Sequence, residues 1–92
     1  MERISREECV RVYRIDMDFF NDLAEAGLID TIMEENTVYL HYDTLARFER
    51  LVTWHYDLEI NIPGLEVICQ LLERIEHLQQ QRYYPLNDSS SR

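Results

Sequence analysis

The run Asp16-Met17-Asp18-Phe19-Phe20-Asn21-Asp22-Leu23-Ala24-Glu25-Ala26-Gly27-Leu28-Ile29 constrains this chain more than any other stretch. Phe19, Phe20, Leu23 and Ala24 recur at spacings of one, three and four, which gathers them on one side of a helix. Asp16 is a good N-cap, because a short carboxylate can accept an orphan amide of the first turn. Gly27 is a stop, since helices often exit through a left-handed residue that glycine adopts without penalty. Leu28 and Ile29 then return to the core. The opposite side carries Asp18, Asp22 and Glu25, with no cation among them. Such a surface is repelled by phosphate, so it suits a protein partner better than a nucleic acid.

The flanks give this helix a context. Ser5-Arg6-Glu7-Glu8 has the form of a capping box, in which the Ser5 hydroxyl takes the Glu8 amide and the Glu8 carboxylate reaches back. It predicts a short first helix over residues 5–12, with Cys9, Val12 and Tyr13 inward. Two short helices joined by a tight turn at residues 13–15 make a helix-turn-helix arrangement. Next, residues 31–33 and 38–40 are β-prone runs around the polar tip Glu34-Glu35-Asn36-Thr37, which predicts a small hairpin, or wing. Asp43 caps a third helix to about residue 58. Leu45, Phe48, Leu51, Val52 and His55 or Tyr56 lie along its core side, and Trp54 lies off that stripe. Asn61 caps the last helix, and Pro63 fits its first turn because the missing amide has no partner there. Leu65, Ile68, Leu71, Leu72, Ile75 and Leu78 form its apolar stripe, which fades into Gln79-Gln80-Gln81-Arg82. The expected fold is mainly α, one domain over residues 1–82. A flexible tail is expected over residues 83–92, where Pro85, Asn87, Asp88 and three Ser cluster.

Composition narrows function. The chain has 18 acidic residues against nine basic ones, for a formal net charge of −9, and every base is Arg. That balance disfavours free association with nucleic acid, which depends on neutralising phosphates. It favours a basic protein partner. The one local excess of bases is Arg3, Arg6, Arg11 and Arg14, interleaved with Glu2, Glu7 and Glu8; these four would have to supply any phosphate contacts. Cys9 and Cys69 each fall on an apolar helical stripe and read as buried free thiols. No 18-residue apolar run is present, so no membrane span is expected. Met1-Glu2-Arg3 leads directly into a helix signal with no cleavable signal pattern, so a reducing cytoplasm is the expected location. His41, His55 and His77 have no Cys or carboxylate cluster at ligand spacing, and no metal or other cofactor is expected. His55 stands within reach of Glu59 in sequence. With two glycines there is no Gly-rich phosphate loop, and no nucleophile elbow or supported Ser/His/acid set occurs, so neither an enzyme nor a small-molecule site is expected.

The order of elements resembles the MerR-type winged helix-turn-helix superfamily. Within it, Asp57-Leu58-Glu59-Ile60-Asn61-Ile62-Pro63-Gly64-Leu65-Glu66-Val67-Ile68, followed by Leu71-Leu72-Glu73-Arg74-Ile75-Glu76-His77-Leu78, resembles the chaperone-modulator branch of the CbpM type. The resemblance covers residues 4–80. It implies a protein that binds a DnaJ-like co-chaperone, chiefly through its J-domain, and restrains its stimulation of Hsp70. DNA-reading relatives carry an Arg where this chain has Asp18, and another Arg followed by a Tyr pair where it has Asn21-Asp22-Leu23. The Gly-Leu exit is kept as Gly27-Leu28-Ile29. Scaffold positions therefore match and phosphate positions do not.

Four expectations follow for surfaces. Asp18, Asp22, Glu25 and Trp54 are the expected contacts with a basic partner. Leu65, Ile68, Leu71, Leu72, Ile75 and Leu78 are the expected seam of a homodimer, because so long a helix cannot bury its whole stripe on one small domain. Arg47 and Arg50 are expected to pair with Glu49, Asp43 or Glu73. The alternative function is a MerR-like DNA-binding transcriptional regulator, with Arg3, Arg6, Arg11 and Arg14 on the phosphates.

Overall fold

A computed structural model describes the backbone of residues 2–88 and the side chains of residues 2–81. The elements run β1 (Arg3–Ser5), α1 (Arg6–Tyr13), α2 (Met17–Glu25), β2 (Thr31–Glu34), β3 (Thr37–His41), a 3₁₀ turn (Tyr42–Thr44), α3 (Leu45–Tyr56) and α4 (Ile62–Asp88). The three strands form one antiparallel sheet in the order β1-β3-β2. This is the expected mainly α winged helix-turn-helix with a long last helix.

Ser5 caps α1: its Oγ accepts from the Glu8 amide at 3.1 Å. The Glu8 carboxylate turns instead toward Arg11, 3.7 Å away, so only half of the capping box forms. Cys9 is fully buried, but Val12 is 54% exposed, against expectation. Val10 and Tyr13 take the core-bordering places. At 100° per residue, Val10 and Val12 flank the Cys9–Tyr13 direction by about 80° on opposite sides, and the packing of the rest of the domain covers the Val10 side. Arg14 then adopts the left-handed conformation at φ 56, its amide returning to the Val10 carbonyl, and the chain turns into α2.

In α2, Phe19, Phe20 and Leu23 are buried as the pattern requires. Asp16 holds the N-cap place without a side-chain cap bond. The exit is a Schellman turn: Gly27 sits at φ +76, Leu28 N–H reaches the Leu23 carbonyl at 3.0 Å, and Gly27 N–H reaches that of Ala24 at 3.1 Å.

The hairpin is tighter than the sequence indicates. Glu34 pairs with Thr37, leaving only Glu35 and Asn36 at the tip. Both have positive φ, 50° and 66°, as a type I′ turn demands. The third strand, β1, was not expected; Arg3, Ile4 and Ser5 pair with His41, Leu40 and Tyr39. The entry to α3 also differs. His41 Nδ1 accepts from the Asp43 amide at 3.0 Å, so His41 and not Asp43 caps this segment, and the α-helix starts at Leu45 and ends at Tyr56.

Asn61 caps α4, its Oδ1 accepting from the Gly64 amide at 2.9 Å. Gly64 makes room there: an added Cβ would lie 2.7 Å from Ile60 Cγ2, and that side chain would have to shift. The core is shared by every layer: Cys9 from α1, Phe19, Phe20 and Leu23 from α2, Leu40 from β3, Phe48 and Leu51 from α3, and Leu65 with Cys69 from α4. Beyond Cys69 no residue through Gln81 is buried, so α4 leaves the body and projects. The radius of gyration is 17.0 Å, against about 12 Å for a compact chain of this length. The helix also runs on to Asp88, so the unstructured tail expected from Tyr83 does not begin there; extending an existing helix adds one bond per residue fixed. Residues 89–92 of that expected tail lie outside the described residues.

Candidate protein-docking surface

Asp18, Asp22 and Glu25 are four and three residues apart, and all three are exposed on the outward side of α2. The same helix turns Phe19, Phe20 and Leu23 into the core, so these carboxylates are held on a rigid support. Asp16 adds a fourth exposed acid just ahead of them. At the start of α2 an open groove is lined by Asp16, Asp18 and Asp22 together with Met17, Phe19, His55 and Ile62. Its floor is fixed by aromatic packing. The His55 ring stacks on Phe19 at 4.2 Å and 13°, and Tyr56 meets Phe19 edge-on at 5.3 Å. His55 Nδ1 lies 2.7 Å from the Ile60 carbonyl, which occupies it in place of Glu59. Tyr56 Oη accepts from the Asp16 amide at 3.0 Å and ties the start of α2 to the end of α3. Met17, His55 and Ile62 were not expected at this surface. They come from three helices that meet only in the fold, and no local spacing announces them.

Trp54 does not join the acidic face. It is half-buried against the core and lines a separate small cleft between α3 and α4, with Arg47, Arg50, Cys69, Leu72, Glu73 and Glu76. Arg47 pairs with Glu73 across that cleft at 3.6 Å, one of the pairings expected for it. Among the described residues no ion pair is found for Arg50.

Three of the four N-terminal arginines have side-chain partners within the domain. Arg3 pairs with Glu34 and lies 4.0 Å over the Tyr39 ring, and the Glu34 hydrogen bond holds its guanidinium above the usual range. Arg6 donates to Asn21 Oδ1 at 3.1 Å and pairs with Glu7 at 3.4 Å, bridging α1 to α2. Arg11 pairs with Glu8. Arg14 forms the left-handed turn. Arg6 and Arg11 lie about 140° apart around α1, so these bases do not converge on one surface.

Both cysteines are buried free thiols, as their apolar positions indicated. Burial, and secondarily the charge of Glu8, pushes the Cys9 thiol up to about 11. Among the described residues no three His, Cys, Asp or Glu side chains gather as a metal site, and no helix is long and apolar enough to cross a membrane.

A helix-turn-helix pair, a three-stranded wing sheet and a projecting last helix are thus in place. The family model described as MerR HTH family regulatory protein matches residues 4–83. The chain belongs to the MerR helix-turn-helix family. No curated protein and no solved structure matches it. In this MerR-family domain, the outward positions of the second helix are acidic, and Arg3, Arg6 and Arg11 pair with carboxylates or an amide.

Proposed function

We propose that this MerR-family domain is a chaperone modulator: its acidic α2 face docks on the J-domain of a DnaJ-like co-chaperone and restrains its action on Hsp70. The observation that carries the reading is the outward side of α2, where Asp18, Asp22 and Glu25 are exposed and the neighbouring Arg6 is held by Asn21 and Glu7. In a duplex-reading orientation these acids would face phosphates. A basic helix is their electrostatic complement, and complementary charge accelerates encounter and fixes orientation. The co-chaperone as partner rests on the resemblance of residues 57–78 to the CbpM-type branch. The mechanism is occupation: acids on α2 cover the basic J-domain surface that would otherwise engage Hsp70. Such a protein works in the cytoplasm and needs no cofactor.

The test is calorimetry at low salt with the J-domain of a DnaJ-type protein from the same organism. Saturable binding is expected, weakening as salt rises. The Asp18→Arg/Asp22→Arg variant should keep its fold, since both side chains are exposed, and lose binding by about tenfold or more. No heat and no competition with Hsp70 would reject the J-domain reading. A mobility shift with promoter DNA at about 50 mM salt, steeply salt-dependent, would favour the DNA-binding alternative instead.

A further inference from the structure

The groove at the start of α2 combines apolar walls with carboxylates. Met17, Phe19, Ile62 and the His55 ring line it beside Asp16, Asp18 and Asp22. Its shape is fixed by three helices. Phe19 is 5% exposed and carries the stacked His55 ring. Leu65, expected on an outward seam of α4, is fully buried instead and pins the first turn of that helix. Ile62, three residues earlier on the same side, is thereby held at the groove. The charge there is unanswered. Among the described residues Asp16, Asp18 and Asp22 make no ion pair. Asp16 holds the N-cap place, where an acid ordinarily accepts an amide of the first turn, yet its carboxylate makes no such bond. Arg6, which reaches α2 at Asn21, is already paired with Glu7.

We propose that this groove seats one arginine side chain of the basic partner that docks on α2. Charge selects a cation, and the apolar walls select one on a long aliphatic stem, which buries its methylenes while the head stays polar. The spacing of the acids selects arginine over lysine. Asp18 and Asp22 stand one turn apart, with about 6 Å between Cβ atoms. A planar guanidinium with five donors can bridge two carboxylates, whereas an ammonium is a compact and strongly hydrated point charge. Weak hydration also suits the guanidinium to the aromatic wall of Phe19 and His55. The Ile60 carbonyl, 2.7 Å from His55 Nδ1, can only accept, so Nδ1 carries the proton and Nε2 of the neutral ring is an acceptor. Glu25 does not line the groove and adds only general attraction. The proposal rests on the docking reading of the α2 face and adds the anchor and its seat.

Two probes separate the groove from that reading. The first is N-acetylargininamide, titrated into the full chain at low salt and followed by NMR. Saturable shifts of the Met17 and Ile62 methyl and His55 ring signals are expected, with Kd on the order of 1 mM, as befits so small a ligand. N-acetylglutaminamide, of similar shape but neutral, should shift none of them. The second probe is the J-domain in calorimetry against Asp22→Asn and Glu25→Gln. Each variant removes one charge from an exposed position of the same helix, so the fold is kept. Asp22→Asn should weaken binding about fivefold or more, and Glu25→Gln less than about twofold. Equal losses in the two variants, or no saturable shift with N-acetylargininamide, overturn the groove and leave docking on the α2 face standing. Saturable N-acetylargininamide binding with no J-domain binding upholds the groove and rejects the J-domain as its partner.

Discussion

Cys9 is the residue where burial and protonation are most directly linked. It sits fully buried in α1, and its thiol is held up to about 11 from an ordinary 9.0. The folded state thus favours the neutral thiol. Below pH 9 the group is protonated in both states and its contribution is fully present. Above that, the unfolded chain loses the proton first, so stability falls as pH rises from about 9 toward 11. Tyr13 adds to the same decline, because burial and its 2.6 Å hydrogen bond to Glu49 push its phenol up as well. Urea denaturation from pH 8 to 11 should therefore show a falling midpoint in the wild type and a shallower fall in Cys9→Ala. Equal slopes in the two proteins would mean that Cys9 ionises as freely in the fold as outside it. The buried neutral thiol also implies slow reaction with disulfide reagents until the chain unfolds, since the thiolate is the nucleophile.

At the scale of elements, the hairpin offers the cleanest substitution. Glu35 and Asn36 both occupy positive φ, which Asn tolerates and Glu does not favour. Replacing the pair by Asn-Gly, the preferred type I′ turn, should raise stability by about 0.5–1 kcal/mol in urea denaturation. A loss of stability would show that the Glu35 side chain makes a contribution larger than its backbone strain. The same element marks the limit of what local sequence reveals. Residues 31–40 alternate clearly enough to announce two strands, and Gly27 with Leu28 and Ile29 announces the exit of α2. β1 is different: its three residues carry no period, and their pairing with β3 bridges more than 30 residues of chain. The Ser5 cap signal was legible, but the strand leading into it was not. In α1 the eight-residue length left Val12 and Val10 nearly equivalent in pattern, and only the direction of α2 and β3 decides between them. In α4 a continuous stripe was visible, yet which part faces the body depends on where α3 ends. The acids of the candidate surface were legible because one helix carries them. Its groove was not, because Met17, His55 and Ile62 are brought together from three elements.

On the scale of the whole molecule, charge and shape act together. The chain is 56 × 32 × 20 Å and carries a net charge of −9, concentrated in the body. The ion pairs within it are exposed or partly exposed, the kind worth about 0–1 kcal/mol each. Repulsion among the surplus acids is spread across the domain. At 0.01 M salt the screening length is about 30 Å, enough for acids on opposite sides of the body to interact; at 0.15 M it is about 8 Å. Added salt weakens both terms, and the repulsion is the larger because acids outnumber bases two to one. The urea midpoint should therefore rise between these two salt concentrations, in contrast to a fold held by its ion pairs. The protein concentration must be held constant, because salt also relieves repulsion between copies. A falling midpoint would place the stabilising charge in the ion pairs.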